Sequence, residues 1–176
     1  FFNLFDQTNL INHFIKKKQK LIPFRGPFNS NVLGSTEDGV REIMFNDKFG
    51  FKNNNTGDQD KIDLMVIGDS FTEGVPFGND IHVANLINNK SNYNALNYGI
   101  SGTGPLMSLA IVKEYGKHFY TKNIFYLFYE GNDLTDMMHE KESFLINYLE
   151  NDNFNQNLIE NSHHLDDFFQ EYLQIN

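Results

Sequence analysis

The sequence predicts an α/β domain built on a parallel sheet, and three observations carry that expectation. Apolar runs at 64–67, 93–98 and 123–129 alternate with stretches of helical periodicity, the order βαβαβ. The first and third runs are continuously apolar, as in strands buried on both faces, rather than alternating. Each run ends in a small, polar, glycine-rich segment: "GDSFTEG", "NYGISGTGP" and "EGND".

Taken in chain order, residues 1–21 carry Leu4, Phe5, Leu10, Ile11, Phe14 and Ile15, the pattern of a partly amphipathic helix. The "KKKQK" run at 16–20 reads as its solvated face. Pro23, Gly26 and Pro27 then break the chain. Asp38-Gly39 and "NDKFGF" at 46–51 read as turns between short strands, and "NNNTGDQDK" at 53–61 as a surface loop. These features set residues 1–60 apart as an N-terminal extension of helix and hairpin, with the α/β domain over 61–176.

Within that domain, Ile81, Ala84, Leu86 and Ile87 mark a helix over 80–90. Pro105 suits a first helical position, and Leu106, Leu109, Val112 and Tyr115 follow at helical spacing. Leu134, Met137, Met138, Phe144, Leu145, Tyr148 and Leu149 fit one long helix. Leu165, Phe168, Phe169, Tyr172 and Leu173 fit a last one from near Ser162. Right-handed crossovers would place all three strand ends on one edge.

Composition narrows the function. The chain has 14 basic and 23 acidic residues, a net charge of -9, and that field repels a polyanion, so nucleic acid is not an expected partner. With no cysteine, disulfides, thiolate zinc sites and cysteine nucleophiles are excluded. No apolar run approaches the roughly 20 residues that span a bilayer. The chain opens with Phe1 rather than Met, which leaves room for a leader or anchor upstream.

Open α/β sheets bind ligands at the carboxyl ends of their strands, where the three polar segments converge. Ser70 is the one hydroxyl directly at the exit of the first strand, placed to meet a substrate carbonyl. The backbone N–H groups of Ser70 and Gly99 and the side-chain amide of Asn132 are candidate donors to a developing oxyanion. A serine with three convergent donors describes acyl transfer. Each segment also has a plainer reading. Asp69 or Ser70 would cap a helix. Residues 99–104 would form a tight turn or a phosphate loop, although the lysine of a P-loop is missing. Residues 131–133 would start the next helix.

"GDSFTEG", "NYGISG" and "EGND" resemble blocks I, II and III of the SGNH hydrolases, the GDSL-like esterase and lipase superfamily, in family order over about residues 61–135. The resemblance implies a flavodoxin-like three-layer sandwich with Ser70 as nucleophile and Gly99 and Asn132 completing the oxyanion hole. It gives Asp69 and Asp133 supporting roles and implies no metal or cofactor. The implied substrate is an acyl or acetyl ester of a small molecule, sugar or lipid. Phe71 replaces the usual leucine, and Gly131 directly precedes Asn132 where the family has one residue between them. An O-acyltransferase with the same nucleophile, and a binding module without turnover, are the rival readings.

A serine at its ordinary pKa needs an adjacent base. The family supplies a late D-x-x-H, and Asp136 and His139 match that spacing only a few residues after block III. In a helix, an acid and a histidine at i, i+3 are ordinary surface neighbours. His163 and His164 read as solvated residues where the last helix begins. "NIFYLFY" at 123–129 is apolar on both faces and calls for a neighbour on each side, since a bare apolar edge invites aggregation. The expectation is therefore a chain cut short, with further strands and the catalytic histidine beyond residue 176, and little or no turnover by this segment.

Overall fold

The computed structural model describes residues 21–35, 39–53, 61–74, 81–119, 121 and 123–175. Residues 1–20 of the helix expected over 1–21, with its basic run at 16–20, Asp38 of the expected Asp38-Gly39 turn, and residues 54–60 of the expected loop fall outside that description. Strands β1 (Ser30–Ser35) and β2 (Arg41–Asn46) pair antiparallel, from Ser30 opposite Asn46 to Ser35 opposite Arg41.

The main sheet comprises β3 (Leu64–Gly68), β4 (Ala95–Asn97) and β5 (Asn123–Leu127), in the order β4-β3-β5 and all parallel. Leu64 lies opposite Ala95 on one side and Asn123 on the other, which puts all three carboxyl ends on one edge. Alternation along β3 sorts its side chains to two faces. Met65 and Ile67 join Leu96, Tyr98, Leu106 and Ile111 in the larger core cluster, whereas Val66 packs with Ala84 and Ala95.

Helices flank both faces: α1 (Ser70–Glu73), α2 (Val83–Lys90) and α3 (Pro105–Ile111). A π-helical turn over Val112–Gly116 carries α3 into α4 (Lys117–Phe119). Then come α5 (Asp133–Glu140), α6 (Ile146–Glu150) and α7 (Ser162–Ile175). The chain is thus mixed α/β, a three-strand parallel sheet flanked by helices. No helix among the described residues is long and apolar enough to cross a membrane.

One expectation needs revision. The single helix expected over 134–149 is broken after Glu140. There the Ser143 hydroxyl donates to Glu140 O at 2.7 Å and accepts from Leu145 N at 3.2 Å, and this local turn competes with the helical ladder. The break lets Leu145 and Tyr148 reach the core. As expected from the absence of a later strand pattern, among the described residues β5 pairs with β3 alone. Ile124 and Phe125, on opposite faces, are 47% and 46% exposed.

The hairpin region does not stand off from the sheet. Phe24, Phe49 and Phe51 belong to the same core cluster as Tyr98, Tyr115 and Phe119. The Phe51 ring lies 4.6 Å from that of Tyr98 and 5.0 Å from that of Tyr115, centroid to centroid.

Candidate functional site

The central strand leaves the sheet through Gly68, whose φ of +151° suits glycine. A Cβ there would meet the Thr72 hydroxyl, and would stand 2.8 Å from Leu127 O. Asp69 follows as the N-cap of α1, its Oδ1 accepting from Phe71 N at 3.0 Å. Ser70 is the first residue of that helix and is half-buried.

The exit of β4 closes against this turn. Ile100 N donates to Gly68 O at 3.0 Å, extending the pairing of the two strands past Asn97. A Cβ on Gly99 would stand 2.6 Å from Thr72 Cβ, so only glycine lets the backbone approach so closely. The Gly99 amide donates to Asn97 Oδ1 at 2.9 Å. The Glu73 carboxylate accepts from both Ser101 N and Ser101 Oγ, tying the turn that carries Ser70 to the second loop. Burial pushes the Glu73 carboxyl above its ordinary value, against the Ser101 hydrogen bonds and the charge of Lys52.

The exit of β5 completes the edge. The Phe71 ring lies 4.7 Å from that of Tyr129. Asn132 caps α5 with its backbone while its Nδ2 donates to Asp136 Oδ2 at 2.8 Å. Asp133 is buried, and its Oδ2 accepts from Tyr129 N at 2.9 Å and from Tyr126 Oη at 3.3 Å. Asp69, only 2% exposed, is pushed above its ordinary value by burial and further by the charge of Asp133. The Phe71 amide and the Asn132 side chain act in the other direction.

The fold therefore gathers Asp69, Ser70, Asn132 and Asp133 at one edge, with Gly99 packed against the turn that carries Ser70. Two candidate oxyanion donors are already engaged, Gly99 N by Asn97 and Asn132 Nδ2 by Asp136. His139 is exposed in the last turn of α5, and Asp136 serves Asn132. Among the described residues, no group of three or more His, Asp or Glu side chains is arranged to hold a metal ion.

Comparison with protein-family models, curated proteins and solved structures finds no match. What the edge can do follows from its own residues. Three of them carry no role in the sequence pattern. Glu73 sits within "GDSFTEG", and its grip on Ser101 depends on a contact 28 residues away. Asn97 is a polar interruption of an apolar strand, and that is a legible signal. Asn53 opens a run of asparagines read as surface loop, yet it is buried.

Proposed function

We propose that this edge is the site of a serine ester hydrolase of the SGNH type, acting on an acyl or acetyl ester of a small molecule, sugar or lipid within a flavodoxin-like sheet. The observation that carries the reading is the position of Ser70, the first residue after the cap of the helix leaving the central strand, between two loops that supply amides. In the reaction, Ser70 Oγ bonds to the ester carbonyl carbon and its proton passes to a base. The carbonyl oxygen becomes an oxyanion. Collapse expels the alcohol with that proton, and water then releases the acid and regenerates the serine.

The oxyanion needs donors aimed at it, each worth roughly 3 kcal/mol in the transition state. The Ser70 amide, Gly99 N and Asn132 Nδ2 fill this role if the latter two share or release the oxygens of Asn97 and Asp136. Those engagements are the observation that favours a second reading, a binding module that keeps the fold without turnover. Nothing in the Asp136–His139 arrangement supplies the base, so slow turnover is expected.

An alkyl fluorophosphonate probe separates the two. It should label Ser70 in the full chain, and Ser70→Ala should abolish labelling. Labelling that survives the substitution assigns the chemistry to another hydroxyl, and absence of labelling favours the binding module.

A further inference from the structure

β4 has β3 on one side. On its other side stands Asn53, 1% exposed, reaching across from the end of the hairpin region. Its Oδ1 accepts from Asn97 N at 2.8 Å, and its Nδ2 donates to Asn97 O at 3.0 Å. One side-chain amide thus pairs with both backbone groups of Asn97, as a neighbouring strand would.

The same Nδ2 donates to Asp47 Oδ2 at 2.8 Å, and Asp47 Oδ1 accepts from Phe49 N at 2.8 Å and Phe51 N at 3.1 Å. Asp47 is fixed by its own turn, and it fixes Asn53. On the far side, Asn97 Oδ1 holds Gly99 N, and Asn97 Nδ2 donates to Glu73 O at 3.3 Å. A chain of hydrogen bonds therefore runs from Asp47 through Asn53 and Asn97 to the loop at 97–101 and to Glu73, the last residue of the helix that Ser70 begins. In such networks each member orients the next, because a lost partner leaves a buried polar group unsatisfied.

We infer that Asn53, held by Asp47, is a positioning residue that sets where the loop at 97–101 stands relative to Ser70, so that residues 47–53 form part of the candidate site's support. Its catalytic meaning rests on the esterase reading, while its structural half does not.

The test compares the full chain with Asn53→Ala, labelling Ser70 with the fluorophosphonate and following amide hydrogen exchange. In the variant the maximal labelling rate falls roughly tenfold or more while the half-saturating probe concentration stays within about twofold, the signature of misplaced groups rather than lost binding. Exchange of the Asn97 and Gly99 amides quickens about tenfold, with β3 and α3 unchanged. An unchanged labelling rate, or exchange quickened uniformly across the sheet, overturns the inference. If Asn53→Ala does not fold, Asn53→Asp keeps the acceptor for Asn97 N, loses both donors and is measured the same way. If the unaltered chain is not labelled at all, the esterase reading fails. Exchange confined to 97–101 then still supports the positioning role, and uniform exchange still overturns it.

Discussion

Glu73 illustrates how one side chain carries opposing demands. It must accept two hydrogen bonds from Ser101 to hold the second loop, yet burial penalises the charge that makes it a good acceptor. Because burial wins, its carboxyl in the folded chain releases its proton at a higher pH than in the unfolded chain. The folded state then binds more protons across that interval, so stability contributed by Glu73 is fully present below its ordinary value of 4.5 and is lost as pH rises through the higher folded value. Glu73→Gln removes the titration and keeps an acceptor. Urea denaturation at a series of pH values should show the stability of the unaltered chain falling relative to Glu73→Gln as pH rises above the ordinary carboxyl range. A flat difference would mean that Ser101 and Lys52 balance burial, and a stability that rises with pH relative to Glu73→Gln would mean that they outweigh it.

The corresponding case among the elements is α3. Its N-cap is Gly104, which offers no side chain, and Pro105 has no N–H to satisfy. The remaining donors are met from another helix: Glu140 of α5 accepts from Gly104 N at 2.7 Å, Leu106 N at 2.9 Å and Met107 N at 3.3 Å. A carboxylate at a helix N-terminus also answers the helix dipole. Glu140→Ala should cost about 1–3 kcal/mol in urea denaturation, with Glu140→Gln costing less. A loss below about 0.5 kcal/mol would mean that water replaces the cap. This contact also marks the limit of sequence reading. Pro105 announces where α3 begins, because its signal is local. That Glu140 finishes the job is not legible, since the partners are 36 residues apart. The same division runs through the site. Ser70, Gly99 and Asn132 are visible because turn residues after strands are a local pattern. Asn53 is indistinguishable from its asparagine neighbours until the fold sets it beside Asn97.

For the molecule as a whole, the two sides of the sheet contrast. Asn53 occupies the outer side of β4 at Asn97, whereas β5 offers an apolar edge with half-exposed Ile124, Phe125, Phe128 and Tyr129. The net charge of -9 keeps copies apart at low salt. Raising the ionic strength should therefore promote concentration-dependent association, measured by light scattering, and Ile124→Lys should suppress it. A chain that stays monomeric at every salt concentration would show that the edge is harmless. The strand order has a further consequence, for the moment of synthesis. β3 is the central strand but leaves the ribosome before both of its neighbours, at residues 95–97 and 123–127. A growing chain therefore holds its central apolar strand in waiting. Nothing can sheathe that segment on both sides until more than fifty further residues have been added, and at roughly 5–20 residues per second that interval lasts several seconds. Throughout it, the side of β3 that β5 will occupy stays open to water or to a chaperone.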